Sequence, residues 1–425
     1  MNPQPSITPL FERHRTAGAN LGDFGGYRMP LWYPAGMRQE HRAVILAAGL
    51  FDTSHMAMLT VAGTGARRLL QQTFTKDLDR VGPTARPLAD GRCVYGAFCD
   101  SRGHLIDDAV VYRRGEDDYF VVVNAAMGPP VADHLAGQAP AASVSVVDMT
   151  DRVAKLDLQG PAAARILGPL LAAPQAVFQR LPYFAFKGHF DPRHPHADTV
   201  RLDDGTPVLL SRTGYTGEFG FEIFIAPEGA AGLWDRLMDI GADAGLLPCG
   251  LAVRDALRTG ALLPLSHQDI GDWPFIHHPW SFALPYGPDG RSFTKQFVGS
   301  AALIQTAAHA AHTLAFVGRD QRKVAAGPGS RVLDTPGRPI GTVLTCATDT
   351  AIGWVNGQVL SLASPQRPPD FDPKGLSCGF VRVEGPLAPG TRLNLDDGRR
   401  RIDVMVVDDI RPDRTARRPM EQMLG

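Results

Sequence analysis

Two stretches place an acid inside an apolar run: GHLIDDAVVY (103–112) and SRTGYTGEFGFEIFI (211–225). Side chains alternate across a strand, so Asp107 and Asp108 must face opposite ways, one outward and one inward. Asp108 shares a face with Ile106, Val110 and Tyr112, which predicts that face as the buried one. A carboxylate buried without a partner is costly and titrates above its ordinary range. That suits general acid–base work or the stabilisation of positive charge. The alternative is an exposed hairpin acid, the usual fate of aspartate. In FGFEIFI the same alternation puts Phe219, Phe221, Ile223 and Ile225 on one face, and Gly220, Glu222 and Phe224 on the other. Glu222 is then either a solvated acid on an outer face or a carboxylate held in a cleft. In a cleft it can accept two parallel N–H bonds from a planar heterocycle such as an aminopyrimidine edge. Gly214 and Gly217 allow a positive φ or a close approach to the backbone there.

Other polar residues have two readings each. Asn124 ends the apolar run FVVVNAA (120–126), where a ligand or a turn can claim it. Arg254 and Arg258 lie four apart in GLAVRDALR (250–258), on one helix face. Arg254 can clamp a carboxylate or a ring carbonyl, or it can form an intrahelical or interdomain ion pair. His189, His194 and His196 crowd one loop with Asp191, and His277 and His278 are adjacent, with no spacing that specifies a metal. No metal site is expected. The chain has no nucleophile elbow, zinc-protease helix or P-loop. The G-x-G of GTGARRLLQQTF (63–74) lacks the third glycine of a dinucleotide fingerprint and reads as a helix entry.

The elements that must position these groups follow from the pattern. A chain of 425 residues is too long for one ordinary core. Lys and Arg number 43 against 44 Asp and Glu, a balance with no footprint for nucleic acid. No stretch approaches the roughly 18 apolar residues of a spanning helix, so no membrane partner is expected. The five cysteines are scattered and read as free thiols in a reducing cytoplasm. EHRAVILAAGLFD (40–52) predicts a helix ending at Gly49, followed by a strand from Met56. Residues 93–126 predict an antiparallel meander. LQGPAAARIL (158–167) mirrors VAGTGARRLL (61–70), a weak internal repeat that suggests two related α+β units. From 312 the pattern changes to short strands with Pro/Gly turns, which predicts two domains, 1–311 and 312–425, the second a small β-barrel or sandwich.

Taken in order, these blocks resemble the aminomethyltransferase family, the T-protein of the glycine cleavage system and its relatives. PLFERHRTAGANLGDFGGYRMPLWY (9–33), GLFDTSHMAMLTVAG (49–63), GHLIDDAVVY, FVVVNAA, SRTGYTGEFGFEI (211–223), GLAVRDALR, FTKQFVGSAAL (293–303) and IRPDRTARR (410–418) carry the likeness across nearly the whole chain. The resemblance implies a three-lobed cloverleaf: two intertwined α+β lobes and a C-terminal β-barrel lobe around a central folate channel. It implies tetrahydrofolate as co-substrate and an aminomethylated lipoyl carrier, H-protein, as donor, with 5,10-methylenetetrahydrofolate and ammonia as products. By motif position, Asp108 matches the catalytic aspartate and Glu222 the carboxylate that grips the pterin. Asn124, Tyr215, Arg254, Tyr95 and Met56 match folate-pocket positions. Arg418 matches a contact to the folate tail.

The departures fall elsewhere. The family's R-L-E-A-G is RTGAL here, from Arg258, and its L-Y-G-H-D is LSHQD (265–269), with Ser266 and His267 in place of Tyr and Gly. FIHHPWSFAL (275–284) replaces another block, and residues near 360–375 look inserted. Folate positions are kept while donor-side blocks drift. A tetrahydrofolate-dependent demethylase acting on a small N-, S- or O-methyl compound is therefore the alternative, with a non-catalytic folate-binding protein third. His267, His277 and His278 are the positions to inspect for donor recognition.

Overall fold

The strand Ala154–Gln159 is the axis of the second lobe. It pairs antiparallel with Gly220–Ile225 on one side and with Ala48–Asp52 on the other. The full sheet runs Phe186–Gly188, Leu209–Ser211, Gly220–Ile225, Ala154–Gln159, Ala48–Asp52 and Leu246–Pro248, with only the last pair parallel. A computed structural model describes residues 4–139 and 143–424 of the chain. The first lobe is a five-stranded antiparallel sheet ordered Arg92–Cys99, Leu105–Gly115, Asp118–Val123, Ala57–Ala62 and Ser145–Asp148. The segment Ala48–Asp52 joins the second sheet before the chain enters the first at Ala57, so the two lobes are intertwined.

This corrects one expectation. The helix predicted to end at Gly49 runs from Met37 to Leu46, and residues 48–52 form a fully buried strand. Helix and buried strand share apolar runs, and Gly49 lies inside the strand, where a Cβ would meet Val44 and Cys249. The meander over 92–123 is as expected.

The internal repeat has a structural counterpart. Strand Ala57–Ala62 leads into helix Ala66–Thr73, and strand Ala154–Gln159 leads into helix Ala163–Leu167. Gly63 and Gly160 occupy the same position in the two units, at φ 116° and 132°. A Cβ at either would come within 2.3–2.5 Å of a backbone carbonyl oxygen, so both turns require glycine.

Six strands close into a C-terminal barrel. Around the ring they are His312–Gly318, Leu376–Val383, Pro339–Asp349, Arg331–Leu333, Arg392–Asp396 and Arg401–Val407. Beyond the barrel the chain returns to the second lobe, where Met420 and Met423 join its core. The segment near 360–375 carries Asp372, whose Oδ1 accepts from Arg42 Nη1 at 2.7 Å. All five cysteines are free thiols. Among the described residues, no helix is long and apolar enough to cross a membrane.

Candidate active site

Strand Leu105–Gly115 carries the acid pair and is covered on both sides. Ala109 and Val111 face the first lobe's own helices, while Val110 and Tyr112 face side chains of the second lobe. The prediction of which acid is buried is therefore reversed. Asp107 is 0% exposed, and Asp108 retains partial exposure. Alternation cannot choose between two faces when both are covered.

Three elements build the pair's surroundings. Tyr95, on the neighbouring strand, donates its hydroxyl to Asp108 Oδ2 at 2.7 Å. Asn124 continues the register beyond Val123, the partner of Ala109, and its Nδ2 donates to Asp107 Oδ1 at 2.8 Å and Asp108 Oδ1 at 2.5 Å. The Asn124 backbone N–H reaches Asp107 Oδ2 at 2.8 Å, and its carbonyl accepts from Met127 in a turn, so this residue serves acid pair and turn together. Ser266 Oγ donates to Asp107 Oδ1 at 2.6 Å from 159 residues away in sequence. Asp107 thus accepts three hydrogen bonds, while Asp108 accepts one on each oxygen and keeps lone pairs free.

Burial and then the charge of Asp108 push the Asp107 carboxyl up to about 7, against the hydrogen bonds from Ser266 and Asn124. Burial also raises Asp108, although Tyr95, Asn124 and the charge of His267 draw it back. Two adjacent carboxylates cannot both ionise freely. A pair raised in this way is suited to holding a proton and to meeting positive charge.

Four residues along the same face, roughly 13 Å of strand, Tyr112 donates its hydroxyl to Glu222 Oε2 at 3.1 Å. Glu222 is 8% exposed, because its strand lies between two others and is buried on both faces. Thr213 Oγ1 also donates to Oε2, at 2.5 Å, and Lys155 Nζ sits 2.6 Å from Oε1. Lys155 pairs with Asp157 Oδ1 at 2.6 Å, and Asp157 Oδ2 accepts from Arg254 Nη1 at 2.7 Å. Of the two ion-pair readings of Arg254, the structure gives one outside its own helix. The guanidinium also lies 4.9 Å over the Tyr215 ring, whose hydroxyl donates to the Pro264 carbonyl. Burial raises Asp157, but Lys155 and Arg254 more than offset it and hold the carboxyl below its ordinary value.

Asp108, Tyr95 and Asn124 thus form one cluster. Glu222 and Arg254 belong to a second, joined through Lys155 and Asp157, with Tyr215 against Arg254. Met56, like Val110, packs against the apolar cluster between the lobes. Arg418 is not drawn in: its side chain is exposed, and its backbone carbonyl accepts from Arg212. The buried arginine of the tail is Arg411. Sequence reasoning missed Lys155 and Asp157. Their signal was present, since Lys155, Asp157 and Gln159 alternate with Leu156 and Leu158 and mark a polar stripe inside a strand. Ser266 gave no local signal. In the crowded loop, the His189 and His194 rings stack at 3.9 Å, and no group of metal ligands is found among the described residues.

Comparison with known proteins agrees with this architecture. The model of the GCVT N-terminal domain matches residues 10–273. An aminomethyltransferase of Bacillus cereus is 39% identical over 267 residues, 62% of this chain and 66% of that protein. That of Desulfitobacterium hafniense is 39% identical over 264 residues, with the same coverage. The chain thus spans just under two thirds of the length of these relatives. The glycine cleavage system aminomethyltransferase T of Bartonella henselae superposes with a TM-score of 0.73 at 26% identity, covering 95% of this chain and 96% of that one. With a family model spanning more than half its length, the chain belongs to the glycine cleavage T-protein (aminomethyltransferase) family.

Proposed function

We propose that the protein is a tetrahydrofolate-dependent aminomethyltransferase. It moves a one-carbon unit from an aminomethylated lipoyl carrier to tetrahydrofolate and releases ammonia. The observation that carries this reading is the acid pair. Asp108 keeps free lone pairs and partial exposure, while Tyr95, Asn124 and Ser266 fix both carboxyls. An acid pair raised by burial, with no cation bonded to it among the described residues, suits a substrate whose nitrogens gain positive charge during transfer.

The second cluster fits a pterin. Glu222 Oε1 meets Lys155 and keeps a lone pair with which to accept a ring N–H. Arg254 engages Asp157 through Nη1, leaving its other N–H groups for a carbonyl or carboxylate of the ligand. Tyr215 offers a ring face against Arg254, Met56 offers apolar surface at the contact between the lobes, and Arg418 is assigned to the folate tail. Positioning of the reactants and fixed charge supply the rate. The free thiols are consistent with a reducing cytoplasm. One alternative, a tetrahydrofolate-dependent demethylase with a small methylated donor, rests on Ser266 and His267, because Ser266 bonds to Asp107 of the acid pair.

Calorimetric titration with tetrahydrofolate under reducing conditions tests the reading. Wild type and Asp108→Asn are expected to bind, and Glu222→Ala to lose binding. A wild type that does not bind ends the folate reading.

A further inference from the structure

His267 is exposed, and its backbone sits in the left-handed region at φ 60°. For a residue with a Cβ this conformation is unfavourable, and it persists only where surrounding contacts over-determine it. They do so here. Ser266 is fixed to Asp107 at 2.6 Å, and the Leu265 N–H donates to Asp269 Oδ2 at 3.0 Å. Gln268 Nε2 donates to Thr345 Oγ1 at 2.6 Å, and Asp269 is paired with Arg258 and with Thr345. Every other polar side chain of LSHQD is engaged in structure. The His267 imidazole has no hydrogen bond or ion pair to the described residues, and the residue before it is bonded to Asp107 of the acid pair. An imidazole held in the left-handed region, open to solvent and one residue from a direct contact with the acid pair is a device for moving protons.

We propose that His267 is the donor-side residue of the site, meeting the one-carbon donor and giving a proton to its departing nitrogen. The inference rests on the aminomethyltransferase reading. In that reaction the aminomethyl carbon breaks its bonds to sulfur and nitrogen and forms two bonds to tetrahydrofolate nitrogens. The two protons those nitrogens release end on the thiol and on ammonia. His267 protonates the nitrogen and is reprotonated by one of the released protons, with no oxidant or reductant involved.

The test compares wild type, His267→Gly and His267→Asn. Both substitutions suit the left-handed backbone and remove the titrating ring. Tetrahydrofolate binding is measured by calorimetry. Turnover is measured in reverse, with 5,10-methylenetetrahydrofolate, ammonia and dihydrolipoamide. Both variants are expected to bind tetrahydrofolate within about twofold of wild type, with turnover about 100-fold lower. Free imidazole should restore turnover to His267→Gly, a rescue that a purely structural role does not produce. Unchanged turnover, or a loss that imidazole does not relieve, overturns the proposal alone. A wild type that binds no folate, or that binds folate without turning over this mixture, removes the reading beneath it as well.

Discussion

Asp107 and Asp349 are both completely buried, and they answer burial in opposite ways. Asp107 has another carboxyl as its neighbour and only uncharged donors around it, and burial reinforced by Asp108 raises it to about 7. Asp349 lies in the seam between barrel and lobes. Its Oδ2 accepts from Arg411 Nη1 at 2.6 Å, and Arg411 also faces Glu218 at 3.4 Å and the Thr216 carbonyl. Burial raises Asp349 too, but Arg411 and then His41 outweigh it, and the carboxyl stays below its ordinary value. Burial is equal, so the partners make the difference. A cation turns a buried acid into a joint, and withholding one leaves a site that a ligand can complete.

Five substitutions sharpen or break this contrast. The largest effect on stability is expected from Arg411→Met, which leaves Asp349 and Glu218 uncompensated and costs about 3–5 kcal/mol in urea denaturation. A stable Arg411→Met protein would mean that the seam is not a joint. Asp108→Asn should do the reverse. Turnover falls about 100-fold or more, while stability stays within about 1 kcal/mol of wild type. If that variant unfolds while remaining active, the two regions have been assigned the wrong way round.

The third test is the sign of the pH dependence. Asp107 is raised in the folded state, so its contribution is complete below the ordinary aspartate value of about 3.9 and is lost as pH rises through about 7. Asp349 is lowered, so its contribution is present above the ordinary value and is lost as pH falls through its folded value. Asp107→Asn should therefore flatten stability between about pH 4 and 7, and Asp349→Asn should flatten only the acid limb. Identical pH profiles for the two variants would remove the contrast. The smallest effect belongs to Arg418→Ala. Its side chain is exposed, so stability should move by less than about 0.5 kcal/mol, and tetrahydrofolate affinity should fall about fivefold or less if it grips the tail. A larger drop in melting temperature would show that the exposed arginine is structural.

The sequence is legible where one local rule governs. The meander over 92–123 consists of short apolar runs divided by turn residues, and Gly63 and Gly160 mark matching turns 97 residues apart. The change of pattern at 312 coincides with the first barrel strand, His312–Gly318. Glu222 and Asp108 were identifiable as unusual acids from their apolar flanks alone. The direction of Asp108 was not, because both faces of its strand are covered by protein from different parts of the chain. The helix boundary at Leu46 was missed because a buried strand and a buried helix segment have the same composition.

Sequence alone determined two related α+β units followed by an all-β region, and that acids stand inside apolar strands. Tertiary structure decided their partners. Ser266 reaches Asp107 across 159 residues, Lys155 divides its charge between Asp157 and Glu222, and Arg411 locks Asp349 across 62. Charge state depends on distances of a few ångströms between groups far apart in the chain, and spacing along a sequence carries no record of such distances until the chain has folded.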